Sequence, residues 1–170
     1  GVISGTGANL EVSGGTAQLS GTNTYTGSTT IDATATLALS GTGSISLSSG
    51  VADNGTFDIS ALTNGGTSIT TLSGSGDVIL GGNTLTLTAA SSTFSGVISG
   101  TGGLTIAGGT ETLTGTNTYT GDTTIDTGAT LVLTGTGSLS SGSTLVIQSG
   151  GTFDTSGLSA TSTPGALSGS

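Results

Sequence analysis

The sequence predicts an all-β fold, a single-stranded parallel β-helix, in which short strands stack as the coils of a β-solenoid. Three observations support this prediction: a long internal repeat, short apolar stretches that recur at close spacing, and glycine-rich turns between them. Repetition at a fixed period is the signature of a repeat architecture. Because a solenoid grows in length without enlarging its core, evenly spread apolar residues suit it better than a compact domain.

The internal repeat has a period of about 95 residues. Residues 1–45 return as residues 96–139 with one residue dropped, and GTFDISAL at 55–62 returns as GTFDTSGL at 151–158. We therefore predict one β-helical segment made of nearly two super-repeats. The segment is 1–170, the first super-repeat is 1–95, and the second, incomplete one is 96–170. With roughly 20 residues per coil the chain makes about eight coils, a rod of about 40 Å at the ~4.8 Å strand spacing.

Strand alternation is clear in NTLTLT at 83–88, where Leu85 and Leu87 share one face and are predicted to point inward. The segment SISLS at 44–48 repeats the pattern, which predicts a strand with Ile45 and Leu47 inward. Thr, Val and Ile favour strands, whereas Gly disfavours helices. No segment has helical periodicity.

The charge pattern excludes several partners. The 170 residues include nine acids but no Lys, Arg, His or Cys, so the formal net charge is −9. Nucleic acids and anionic membrane surfaces are bound largely through Lys and Arg. We therefore expect neither nucleic-acid binding nor direct membrane binding, and no apolar run approaches the length of a membrane span.

Catalysis is not predicted. Without His, Cys or Lys there is no imidazole base, thiolate nucleophile or Schiff-base amine. A glycosidase needs two carboxyls roughly 5–10 Å apart, but repeat-related acids such as Asp32 and Asp126 lie four or five coils apart, about 20 Å. We predict a non-enzyme with no catalytic residues and no cofactor.

Asp122 and Asp126 are the acids that could contribute to a Ca²⁺ site, because they flank a predicted strand in GDTTID. The first copy has Ser28 in place of Asp122, and the calcium-binding nonapeptide of β-helices is absent. The prediction is no metal site, with both acids solvated on the surface.

The aromatic and threonine residues are predicted to be structural. The aromatic pairs recur only at the long period, so they are too far apart for a sugar-stacking platform and are expected to pack at coil corners. The Thr-x-Thr runs recur irregularly, which favours solvent-facing strands over an ice-binding face. The aromatic residues are Tyr25, Phe57, Phe94, Tyr119 and Phe153.

The segments GTNTYTGSTTI at 21–31 and GTNTYTGDTTI at 115–125 resemble the autotransporter-associated β-strand repeat, also called the passenger-associated transport repeat. The residues that carry the motif are Asn23, Tyr25, Gly27, Asn117, Tyr119 and Gly121. Both asparagines are expected to serve turns.

The resemblance implies a right-handed β-helical passenger of a bacterial autotransporter. Such a passenger is exported through an outer-membrane β-barrel translocator in cis, absent from this sequence, and folds on the extracellular side of the outer membrane. We expect a secreted, cell-surface stalk or adhesin whose repeat aids folding and secretion, with a host receptor, matrix or glycan as partner. Two alternatives stay open: a carbohydrate-binding or polysaccharide-acting passenger, and an extracellular filament that associates head to tail.

Overall fold

The computed structural model describes residues 1–159 and 166–169. These residues form an all-β solenoid of parallel strands, which confirms the predicted fold class. The strands lie in three sheets, named here faces A, B and C in the order in which the chain meets them. Eight stacked strands on face A enclose seven full turns, close to the eight coils expected, and the other described residues form partial turns at the two ends.

Nineteen strands lie in the described residues. Face A contains β1 (Leu10–Val12), β3 (Thr29–Ile31), β5 (Val51–Asp53), β8 (Leu72–Gly74), β11 (Thr93–Phe94), β14 (Thr110–Leu113), β16 (Thr130–Gly135) and β18 (Thr152–Leu158). Face B contains β2 (Thr16–Leu19), β4 (Thr36–Gly41), β6 (Thr56–Leu62), β9 (Asp77–Ile79) and β12 (Val97–Ser99). Face C contains β7 (Gly66–Ile69), β10 (Thr84–Leu87), β13 (Leu104–Ile106), β15 (Thr123–Ile125), β17 (Thr144–Ile147) and β19 (Ala166–Gly169).

The core is a stack of inward side chains in register from turn to turn. Leu87 pairs with Ile69 below it and with Ile106 above it, and all three are fully buried. Leu85 is equally buried, so both leucines that alternation predicted to face inward do so. Burial of each such side chain stabilises the fold by about 1.5–3 kcal/mol.

The predicted strand at 44–48 is wrong, because the chain has no strand between β4 and β5. Ile45 is buried as expected, but Leu47 is 54% exposed. The chain turns here instead of extending, because the Ser48 amide donates to the Ile45 carbonyl at 2.9 Å. The turn points Leu47 outward and places Ser48 inside.

The long sequence repeat is not the structural repeat. Four full turns carry Ile31 to Leu113 through successive pairs on face A. The repeat counterpart of Ile31, however, is Ile125, which comes 12 residues after Leu113 and lies on face C. The second copy is therefore rotated around the rod by one face relative to the first.

No helix that could span a membrane occurs in the part of the chain that the structure describes.

Candidate functional site

Asn23 joins three successive turns of the solenoid. Its Oδ1 accepts a hydrogen bond from the Ile3 amide of the preceding turn at 2.8 Å. Its Nδ2 donates to the Gly21 carbonyl of its own turn at 2.9 Å and to the Ser44 carbonyl of the next at 3.0 Å. The side chain is buried, so these bonds replace the ones that water would make. Asn23 thus does more than support a local turn.

Asn117 repeats this arrangement in the second copy. Its Oδ1 accepts from the Ile98 amide at 3.0 Å, and its Nδ2 donates to the carbonyls of Gly115 at 3.1 Å and Ser138 at 3.0 Å. The partners are again the turn below, the same turn and the turn above. The two copies therefore share the same internal structure although they lie on different sides of the rod.

Tyr25 begins a buried chain of hydroxyl groups. Its Oη lies 2.6 Å from Thr29 Oγ1, which lies 2.8 Å from Ser48 Oγ, and Ser48 Oγ donates to the Gly27 carbonyl at 3.0 Å. Because a carbonyl can only accept, the protons run from tyrosine to threonine to serine to carbonyl. The phenol therefore serves as a donor, and burial raises the pKa of Tyr25 above its usual value.

Tyr119 begins the same series of hydroxyl hydrogen bonds in the second super-repeat. Its Oη lies 2.6 Å from Thr123 Oγ1, Thr123 Oγ1 lies 3.0 Å from Ser143 Oγ, and Ser143 Oγ donates to the Gly121 carbonyl at 2.8 Å. Burial raises the pKa of Tyr119 strongly, so this phenol is neutral at ordinary pH. In both series of hydroxyl groups the serine belongs to the following turn, so this network also joins successive coils.

The last motif position is glycine in both copies, Gly27 and Gly121, because the backbone of the preceding turn leaves no room for a side chain. A Cβ at Gly27 would collide with the Ala8 carbonyl, and one at Gly121 would collide with the Gly102 carbonyl. Only glycine allows two turns to approach this closely.

The two motif copies form separate structural sites. The first follows β2 of face B and precedes β3 of face A, whereas the second follows β14 of face A and precedes β15 of face C. Asn23, Tyr25, Asn117 and Tyr119 are all buried. The motif side chains with distinctive chemistry therefore face the interior and present nothing to a ligand.

Asp122 and Asp126 are not placed to share a cation. They lie at the two ends of β15, and the three intervening strand residues separate their Cα atoms by about 13 Å. Asp122 is exposed and Asp126 is half-buried. Among the residues that the structure describes, no cluster of three or more potential ligand side chains could hold a metal ion.

Glu111, which the sequence analysis passed over, is buried in the core of face A. It is inaccessible to solvent, and neither carboxyl oxygen has a hydrogen-bond partner. Burial raises the pKa of Glu111 to about 9, opposed in part by the nearby Ser92 amide. The sequence held a signal, because Glu111 and the core residue Leu113 alternate along β14 with the same parity.

Asp53 is a second buried acid on face A. Its Oδ1 accepts from the Gly55 amide at 3.1 Å, but its Oδ2 has no partner. Burial raises its pKa to about 6, aided by the negative charge of Asp77 and opposed by backbone amides. Asp53 and Glu111 lie three strands apart, about 14 Å, too far to act as the carboxyl pair of a retaining or inverting glycosidase.

The aromatic side chains offer no stacking platform on the described surface. Tyr25, Phe57, Phe94 and Tyr119 are fully buried, and Phe153 is half-buried. Sugar recognition by exposed rings therefore has no support in this part of the chain.

No protein-family model matches this chain, and no curated protein or solved structure matches it.

Proposed function

We propose that this chain is a structural segment of a secreted bacterial surface passenger, a stalk or adhesive spacer exported through a β-barrel translocator in cis. The proposal joins the resemblance of the Asn-Thr-Tyr-Thr-Gly segments to the passenger-associated repeat with a rod-shaped fold. A solenoid extends a surface outward at constant thickness, which suits a spacer. The contact with a host receptor, matrix or glycan is assigned to other parts of the passenger or to the outer surface of the rod.

The observation that carries the proposal is the buried position of the repeat motif in both copies. Asn117 forms hydrogen bonds with the turn below it and the turn above it. Its polar groups are therefore fully satisfied only after the next turn has folded. A buried amide left without partners is costly. Each motif thus favours continued addition of coils, which suits a chain that folds as it emerges from a translocator.

The proposal is tested by surface display of a passenger that contains this segment, with Asn117→Ala as the variant and Thr118→Ala as the matched control. Thr118 is the exposed neighbour of Asn117, so its truncation leaves the interior intact. We expect Asn117→Ala to reduce protease-resistant display while adhesion per displayed molecule stays constant. Intact display with lost adhesion would instead make the motif a binding site.

A further inference from the structure

A polar groove of about 420 Å³ opens at the start of face C. Its walls come from the turn at 44–46, the loop that precedes β7, and residues of β7 and β10. The lining side chains include Ser46, Asn64, Thr67, Ser68, Thr84 and Thr86. We call this feature the hydroxyl groove.

The groove exists because the core pattern changes here. Thr67 is in register with Leu85, which is in register with Leu104, and both leucines are fully buried. A half-buried threonine therefore occupies the place that the two turns above fill with core leucine. The turn below bends at 46–47, and Leu47 points outward.

The groove side chains keep their hydrogen-bonding capacity free. Within the described chain, no side-chain hydrogen bond involves any of the six lining residues except the one that the Ser46 backbone amide donates to Ser44 Oγ. Hydroxyls just beyond the groove behave differently. Thr70 donates to the Ser48 carbonyl at 2.7 Å, and Thr88 donates to the Ile69 carbonyl at 3.3 Å. The groove therefore presents donors and acceptors that a ligand can use.

The chemistry of the lining selects a neutral, hydroxyl-rich ligand. No charged side chain lines the groove, and a chain with net charge −9 and no Lys, Arg or His repels anions. The volume falls within the usual range for small-ligand sites.

A further feature favours a chain-like ligand over a free sugar. Outside the groove the polar ladder continues along face C, because Ser68, Thr86, Thr105 and Thr124 are in register on successive turns. The ladder repeats at about 4.8 Å, comparable with the length of one sugar unit in an extended glycan.

We propose that the hydroxyl groove binds a short segment of a neutral polysaccharide. The proposal stands on the groove and is independent of the stalk function. Because no aromatic ring contributes, binding is weak, with a Kd of about 1 mM. Anionic glycans are excluded.

The test is a ligand-observed NMR titration of the whole chain with cellotetraose, a neutral linear glucan, and with tetragalacturonate as the anionic comparison. The variant Ser68→Ala/Thr86→Val removes two groove hydroxyls, whereas Thr110→Val/Thr112→Val removes two hydroxyls from the outer side of β14 on face A, away from the groove and its ladder. Val keeps the shape and strand preference of Thr, and circular dichroism melts verify that each variant folds.

We expect cellotetraose to bind the native chain and the face A variant alike, with roughly tenfold weaker binding to the groove variant. Tetragalacturonate should not bind. Three outcomes would overturn the proposal: no binding of cellotetraose at about 10 mM, equal binding by the groove variant, or preference for the anionic tetramer.

Discussion

Glu111 on β14 stands in register with Leu131 on β16, so a carboxyl group without a hydrogen-bond partner occupies a place in the core of face A. At the equivalent point of the first super-repeat the chain has Ala17. A buried carboxyl is tolerated in its neutral form, whereas its ionised form is costly without a partner. Glu111 therefore links the stability of the rod to pH.

The first prediction is that stability falls as pH rises from 6 to 9. Because the pKa of Glu111 is about 9 in the fold against an ordinary value of 4.5, the folded state between these pH values holds a proton that the unfolded state has lost. The contribution of Glu111 to the free energy of unfolding is thus fully present below about pH 4.5. It is lost as the pH rises towards 9, by up to about 1.4 kcal/mol per pH unit. Asp53 lowers the stability in the same direction as the pH rises from 3.8 to about 6. Urea unfolding at pH 6, 7, 8 and 9 measures the slope.

The control for the pH prediction is Glu111→Gln, which cannot ionise. The slope between pH 6 and 9 should disappear in this variant. Glu111→Leu should in addition raise the melting temperature at pH 8, because it replaces an unpartnered polar group by a core side chain. An unchanged slope in both variants would mean that Glu111 does not cause the pH dependence.

The second prediction ranks the motif residues by the bonds that each makes. Asn117→Ala leaves the buried Ile98 amide without its partner, removes one hydrogen bond from each of two carbonyls, and should destabilise the rod by about 3 kcal/mol. Tyr119→Phe removes only the first donor of the hydroxyl chain and should cost about 1 kcal/mol. Thr118→Ala should be near neutral. Urea unfolding of the three variants checks the order, which a larger loss for Tyr119→Phe than for Asn117→Ala would contradict.

The third prediction compares two neighbours on β10. Leu85→Asp places an unpaired charge in the core and should cost more than about 4 kcal/mol, enough to melt the adjacent coils. Thr86→Asp, on the outer side of the same strand, should cost less than about 1 kcal/mol. Circular dichroism melts measure both, and equal damage by the two variants would show that the assignment of inner and outer sides is wrong.

Sequence alternation identified which sides of the longer strands face inward but not where the chain bends. Leu85 and Leu87 were placed correctly, because parity alone fixes the side within a strand. Leu47 was misplaced because a turn between Ile45 and Ser48 breaks that parity. A two-residue bend of this kind leaves no periodic signal.

Contacts between turns were harder to predict than strands. The long repeat identifies Asn23 with Asn117, but these residues lie on different sides of the rod. Their partners on the neighbouring turns lie 19 to 21 residues away, a spacing that varies and that the 95-residue period conceals. The opening beside Thr67 depends on this register, so it did not emerge from the sequence.

The last prediction concerns association of folded rods at low pH. The only ionisable side chains besides two tyrosines are nine acids, and the sequence pI is about 4.1. Most proteins become soluble again below their pI, because Lys, Arg and His carry positive charge there. This chain has none of these residues, so acid removes the repulsion between rods without restoring it through positive charge.

Light scattering should therefore detect association at pH 4 that persists at pH 2, whereas the chain at pH 7 in low salt should stay dispersed. The fold should survive, since both buried acids are already neutral at pH 4, and far-ultraviolet circular dichroism at pH 2 should match that at pH 7. Redispersal at pH 2, or association accompanied by loss of the β signal, would contradict this account.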